Sequence, residues 1–414
     1  MTAALRRSVS SLSVPNYRRY FVGQVISVSG NWMQLVAQMW LIVKLTHSGV
    51  AVGLTAGLQF APILVLGAWG GLIADRFSKR RVLMITQPLM ALPALALWAL
   101  VAAGTVEPWM VYALVFVRGT VNAFDNPARQ SFVIELVGHD RVVNAVSLNS
   151  VIVQTARIIG PAAAGGVIAL AGVGPCFAIN ALSFAAMFIA LQRMDVSELR
   201  PSTPAQRAPR ELRAALRYVS GTPGLWIPLG MMVLVGTLTF NFQVLLPLLA
   251  SQTWHGTAST YALLTAAMAV GSVIGALASG ARGRVSPRIL VVAAAGFGVV
   301  ELLAALAPSL PLQVLALIPL GAVSVTFYAG VNSTMQLAVT PAMRGRVMGL
   351  YSVVFLGSTP IGAPLVGWLA EIAGPRAGMA LGGAAALTAA ALATVAYRGK
   401  RLPSDAGVAI LPAR

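Results

Sequence analysis

The chain has 414 residues, of which 57% are hydrophobic and only 10% charged, with a formal net charge of +18. A soluble domain carries about 25% charged residues, and apolar runs long enough to cross a bilayer core of about 30 Å recur from end to end, which excludes a soluble fold. The single cysteine, Cys176, excludes an internal disulfide; the scattered His47, His139 and His255 form no metal-ligand pattern; and the sole Gly-Lys pair, Gly399-Lys400, lacks the rest of a phosphate-binding loop.

Lipid cannot satisfy a backbone amide, so each run is read as a helix. In chain order the predicted spans are 20–43, 50–74, 82–103, 109–128, 142–170, 175–192, 225–250, 258–281, 288–307, 310–332, 346–371 and 376–397. The first run is too long for a signal peptide and no small-residue cleavage site follows it, so it is expected to stay as an anchor. Within it, Gln24, Ser27, Asn31, Gln34 and Gln38 fall within about 80° of one another on a helix. Such a polar stripe faces protein or water, either as hydrogen-bonding glue between helices or as the lining of a cavity.

Helix four places Arg118, Asn122, Asp125 and Arg129 on one face, with Asp125 and Arg129 spaced to pair. Arg157 lies at mid-depth of helix five, as Arg118 does in helix four. A charge at that depth is costly, and each arginine is either tied to polar neighbours or forms a positive centre in a cavity. The stretch 193–222, with Pro201, Pro204 and Pro209, reads as a linker, and its tail RELRAALRYV has the spacing of a helix lying on the membrane surface. In helix nine, Glu301 is the one deeply embedded carboxylate and a candidate proton carrier.

The basic residues alternate between loops. Arg6, Arg7, Arg18 and Arg19 are followed by Arg76, Lys79, Arg80 and Arg81, then Arg129 and Arg141, then six arginines from Arg193 to Arg217. Arg282, Arg284 and Arg288 come next, then Arg344 and Arg346, then Arg398, Lys400, Arg401 and Arg414; the opposite loops hold only Lys44 and Arg376. This is the positive-inside pattern with both termini in the cytoplasm, and it assigns the net charge to topology rather than to nucleic acid.

The two halves repeat. RFSKRRVL is similar to RVSPRIL, Gly119 corresponds to Gly321, and Pro161 corresponds to Pro364, all at offsets near half the chain length. Two parallel six-helix halves around a midplane site are what alternating access uses.

Three segments resemble the major facilitator superfamily. GGLIADRFSKRR (Gly70–Arg81) is similar to its signature between helices two and three, with Ser78 in place of a glycine; LVFVRGT is similar to its helix-four arginine motif; and ARIIGPAAAGG is similar to the Gly-Pro motif of exporters. Longer strings, GNWMQLVAQMWLIVKLTHS, RGTVNAFDNPARQSFVIELV and NAVSLNSVIVQTARIIGPAAAG, resemble the exporter branch that includes enterobactin and macrolide efflux proteins. The second half matches less well, and its loop copy SGARGRV has no aspartate.

The resemblance implies an all-α membrane protein of twelve transmembrane helices in two pseudo-symmetric bundles, 1–192 and 223–414, joined by a cytoplasmic linker 193–222. It implies a secondary transporter rather than an enzyme, exporting siderophore-, macrolide- or drug-like molecules by proton antiport, with an importer or a membrane sensor as alternatives. Cationic-drug exporters of this superfamily commonly carry an acid in helix one and this chain has none, so neutral or anionic cargo is expected. The expected cavity residues are Gln24, Asn31, Gln34, Gln38, Arg118, Asn122 and Arg157. An inward-side lock is expected from Gly71, Asp75, Arg76, Lys79, Arg80, Arg81 and Asp125, and a bend with close packing at Gly160, Pro161, Gly165 and Gly166. Proton carriage is expected at Glu301 or Asp125. No cofactor or metal is expected, and the partners are the cargo, protons and the bilayer of a bacterial inner membrane, with the protein acting as a monomer. Reporter fusions check the topology: fusions after Lys400 and near Pro204 are expected to report cytoplasm, and fusions near Thr105 and His255 the outside. A periplasmic signal at Pro204 overturns the twelve-span order.

Overall fold

Segments that must close their own backbone hydrogen bonds become helices, and the computed structural model is built of them. It describes residues 10–200, 211–282, 284–340, 343–398 and 408–409. The first six long helices are α1 (Pro15–Thr46), α2 (Gly49–Arg76), α3 (Lys79–Ala103), α4 (Pro108–Val137), α5 (Val142–Ala171) and α6 (Gly174–Gln192). A short α7 (Glu211–Ser220) precedes α8 (Pro223–Leu238) and α9 (Phe242–Leu248), which runs on into a wider turn over Leu249–Thr253. The rest are α10 (Ala258–Arg282), α11 (Pro287–Ala305), α12 (Leu310–Ala338), α13 (Arg344–Ala373) and α14 (Pro375–Tyr397).

Ten stretches among the described residues are long and apolar enough to cross a membrane, with Pro223–Thr253 counted as one. The helices missing from that set are α1 and α4, although they run for 32 and 30 residues. They carry the polar stripe and the embedded charges, and with them the fold has the twelve helices expected.

Two of the predicted spans differ in ways that bear on the site. Helix four continues past 128 to Val137, with Asp125 and Arg129 paired to each other inside it. The seventh span is interrupted between Leu238 and Phe242. There the Phe240 amide donates back to Val235 O, and the Asn241 side-chain amide donates to Thr237 O (2.8 Å). The Thr239 hydroxyl donates to Gly382 O of α14 (2.8 Å). Side chains that offer the backbone other partners are what stops a helix here.

The chain forms two units by its internal contacts, one of Met1–Thr46 with Leu58–Gln206 and one of His47–Gly57 with Arg207–Arg414. In the first, α1 packs on α4, α5 and α6, and α3 packs on α4 and α6. In the second, α8 packs on α12, α13 and α14, and α11 packs on α12 and α14. The same pairing of first with fourth, fifth and sixth, and of third with fourth and sixth, is thus built twice. The first unit has a core around Tyr17, Tyr20, Leu83, Phe132, Leu136 and Met187. In the second, Phe240, Phe242 and Phe327 pack their rings around Phe297.

The start of α2 belongs to the second unit. Ser48 caps it by accepting the Ala51 amide (3.2 Å), and Glu371 of α13 accepts the Ser48 hydroxyl and the Val50 amide. An acceptor and a negative charge are both favoured at a helix N-terminus. The tail of the linker, expected as a helix on the membrane surface, forms α7, which packs on α8 and α13; Pro201, Pro204 and Pro209 lie outside the described residues.

The repeat glycines bring backbones together. A side chain at Gly119 of α4 would overlap the carbonyl of Gln59 on α2, and one at Gly321 of α12 would overlap the carbonyl of Met268 on α10. Small residues at such crossings drive helix association in lipid, where the hydrophobic effect between helices is absent. Gly321→Val is therefore expected to destabilise the protein by about 1–3 kcal/mol through overpacking. Gly166→Ala, where a side chain meets nothing within 4 Å, should be neutral. Thermal unfolding of the purified variants checks this, and equal stability of the two overturns it.

Candidate functional site

The stripe of α1 separates into two sets. Gln24, Gln34 and Gln38 are 3%, 0% and 0% exposed. Gln34 accepts from the Asn180 amide of α6, Asn180 in turn accepts the Ser183 hydroxyl (2.8 Å), and Gln38 donates to Gln59 of α2 (3.2 Å). Gln24 accepts from Arg129. These three make interhelical hydrogen bonds in the interior of the unit, and Ser27 is buried beside them.

Asn31 does something else. Its side-chain oxygen accepts from Arg118 Nη2 of α4 (2.8 Å), and the next residue, Trp32, carries the Arg157 guanidinium of α5 over its ring at 5.5 Å. Gly160, three residues after Arg157, has no room for a side chain against Trp32 and the Ser29 carbonyl, which lets α5 approach α1 at this level. The helix runs unbroken through Gly160 and Pro161; Gly165 is buried and Gly166 faces open space. Among the described residues neither Arg118 nor Arg157 has a carboxylate partner, and Arg118 Nη1 is buried with no hydrogen bond. Asn122 stands half-buried one turn along α4. Two cations thus meet α1 at adjacent residues, both held by neutral groups.

Asp125 is treated differently. It is 2% exposed, and its two oxygens accept four bonds: Thr86 Oγ1 (2.6 Å), Gln87 Nε2 (2.7 Å), Arg129 Nε (2.8 Å) and Arg129 Nη2 (2.7 Å). Its partners come from α3 and α4, and Arg129 extends the network to Gln24 on α1.

The basic loop after α2 finds other partners. Lys79, almost fully buried, pairs with Glu135 near the end of α4 at 2.9 Å. Arg80 donates to the Leu191 and Gln192 carbonyls (2.8 and 3.2 Å) at the end of α6, where a cation meets the unpaired carbonyls of a helix terminus. Gly71 and Asp75 are half-buried in the last turns of α2, while Arg76 and Arg81 are exposed. Glu135 is the residue that sequence reasoning missed; the run FVIELV continues the apolar spacing of helix four past 128 and was the available signal.

The segment after α6 is tied to the start of α1. Asn16 donates to the Asp195 carbonyl (2.7 Å) and accepts its amide (3.0 Å). The Ser197 hydroxyl, and then its amide, hold the Asp195 carboxyl below the usual range. In the second unit, Glu301 is 0% exposed, with no hydrogen bond to either oxygen.

Removing one member of a buried ion pair strands the other and costs about 3–5 kcal/mol. Asp125→Asn is therefore expected to lower thermal stability sharply, and adding Arg129→Gln is expected to recover much of the loss. A double-mutant cycle on detergent-purified protein measures this, and an unchanged melting temperature for Asp125→Asn would discard the network as a stabilising element.

The model of the transmembrane secretion effector family matches residues 7–409. The enterobactin exporter EntS of Citrobacter koseri is 28% identical over 392 residues, covering 89% of this chain and 88% of that protein. The staphyloferrin A transporter of Staphylococcus aureus is 27% identical over 262 residues, covering 62% of this chain and 65% of that protein. Among solved structures, the nucleoside transporter NupG superposes with a TM-score of 0.72 at 14% identity, covering 93% of this chain and 100% of that one. An inward-facing bacterial homologue of the human lysosomal transporter Spinster superposes with a TM-score of 0.68 at 15% identity, covering 92% and 95%. Those two likenesses concern the fold. With a family match across nearly its whole length, the chain belongs to the transmembrane secretion effector family, within the major facilitator superfamily of membrane transporters.

Proposed function

We propose that this chain exports small organic anions of the siderophore class from a bacterial cytoplasm, by alternately exposing one binding site to the two sides of the inner membrane in exchange for protons. The observation that carries the reading is the pair Arg118 and Arg157, set against Asn31 and Trp32 of α1, with no carboxylate on either among the described residues. A cation buried among apolar helices is costly when unpaired. An anionic cargo relieves that cost twice, once at each guanidinium, and does so most strongly where water is excluded. A guanidinium also offers a planar fork of donors, which suits an oxyanion. Trp32 adds a flat apolar surface beside the charge.

The names of two relatives support the class of cargo, and that of EntS supports the direction. In this reading the halves 1–192 and 223–414 move about the linker 193–222, both termini stay in the cytoplasm, and the protein works as a monomer. The loop from Asp75 to Arg81 holds the inward side in one state through Lys79 and Glu135.

Enterobactin is a suitable probe, because a relative is named for it. Inside-out vesicles bearing the wild type are expected to accumulate it when their lumen is acid; accumulation in right-side-out vesicles instead would reverse the direction to import. A hydrogen bond to a charged group is worth about 1.5–3 kcal/mol, so Arg118→Gln should weaken binding by about tenfold to a hundredfold. Arg118→Lys should retain part of it, since the charge survives without the fork. Arg157→Gln should have a smaller effect. Binding that ignores both substitutions would remove the positive centre, and the anion reading with it.

A further inference from the structure

The second unit holds a buried acid that the transport site leaves unused. We propose that Glu301 is a proton-binding site, its carboxyl cycling between neutral acid and carboxylate as the transporter changes state. The proposal rests on the antiport reading for the use made of the proton, and on the geometry of the second unit for the site itself.

The carboxyl is completely buried, and neither oxygen has a hydrogen-bond partner. It lies against Gly382 of α14, where a Cβ would stand 2.5 Å from Oε1 and 3.2 Å from Oε2. The missing side chain is therefore what makes room for the carboxyl. The Gly382 carbonyl is already engaged by the Thr239 hydroxyl, at the interruption between α8 and α9. Phe240, within that interruption, and Phe242, just after it, pack on Phe297, one turn of α11 before Glu301. The acid thus sits beside a break in a membrane helix, where backbone groups are released from regular pairing and where transporters of this general design bind their coupling ions. Gln313 of α12, also 0% exposed with both side-chain polar atoms unpartnered, lies one turn from the start of its helix, as Glu301 lies about one turn from the end of α11. Both buried polar groups therefore stand at the same end of this helix pair.

Among the described residues, nothing on the helices around it neutralises a carboxylate. α8, α9 and α12 carry no acidic or basic side chain, apart from Tyr328 far along α12. α11 itself adds only Arg288 at its opposite end. α14 carries Arg376 and, at its far end, Tyr397. Arg376 is six residues from Gly382, about 9 Å along the axis, and is bound to the Ala307 carbonyl (2.7 Å) and stacked on Trp254 (5.3 Å). An ionised carboxylate without a partner is among the costliest groups a protein can bury, so this geometry suits the neutral acid. Loss of the proton then requires a conformation in which water or a cation reaches the carboxyl, and that requirement ties proton release to a change of state. The step is a bare transfer: one O–H bond breaks or forms, and no other bond changes.

The test uses the full chain, purified and returned to lipid. Infrared difference spectra across a pH step are expected to show a carboxyl band that titrates in the wild type and is missing in Glu301→Gln. In vesicles, Glu301→Gln is expected to lose accumulation of enterobactin driven by a pH gradient, while exchange of enterobactin across the membrane is slowed less. The same carboxyl band in wild type and variant, or undiminished gradient-driven accumulation by the variant, overturns the proposal. So does a wild type driven by a sodium gradient in place of a pH gradient, because the carboxyl would then be a cation ligand. If the band behaves as expected but the wild type moves no enterobactin, the siderophore reading fails and the proton site stands.

Discussion

Lipid supplies no hydrogen bonds, so the polar side chains of α1 and α4 have to find their partners on the helices packed around them. Asp125 is where this is most developed. Its two oxygens take four donors from α3 and α4, and through Arg129 the network reaches Gln24 on α1. One acid thereby ties three helices together in the buried interior of the unit. This also resolves an apparent contradiction: α1 and α4 are too polar to stand among the apolar spans, yet each is long enough to cross. Their polarity is spent inside the bundle, and the lipid meets what remains.

Scaffold and chemistry are distributed differently. The close crossings at Gly119 and Gly321 recur in both units, because glycine there answers a requirement of backbone geometry that both bundles share. The charges do not recur. The first unit carries Arg118, Asp125, Arg129 and Arg157 within its helices, while the interior of the second is almost free of charge except for Glu301 and the pairing groups near its helix ends. Duplicated architecture with unduplicated charge is what a transporter needs if cargo recognition and coupling are separate tasks.

The order of the helices was legible in the sequence because long, mostly apolar runs recur along it, and the resemblance in GGLIADRFSKRR carried the superfamily and the two more polar helices. What was not legible depends on partners far away in the chain. Asp125 and Arg129 read as the edge of the membrane, since nothing local reveals that Thr86 and Gln87 stand ready to accept the acid into the interior. Ending helix four there hid Glu135, the partner of Lys79. The break after Leu238 had no proline to announce it and depends on Gly382 of a helix more than a hundred residues later. The stripe on α1 showed which face is polar. It could not show that Gln34 turns to Asn180 while Asn31, on the same face, turns to Arg118.

The two treatments of arginine within one bundle bear on which of them serves structure. Where the first unit buries Arg129, it supplies an acid one turn away, two direct contacts to one oxygen of that acid, and a second acceptor from α1. The chain therefore has a ready means of neutralising a cation in its interior. At Arg118, one helical turn before Asn122 on the same face of α4, it supplies a single neutral amide and leaves Nη1 without a partner. At Arg157 it supplies an aromatic face. A purely structural arginine gains nothing from such poor company, since a better-paired or apolar residue would pack at lower cost. On the proposed reading, a guanidinium that binds and then releases an anion in each cycle gains from it: an internal carboxylate would compete with the cargo, whereas Asn31 and Trp32 contact the charge without cancelling it.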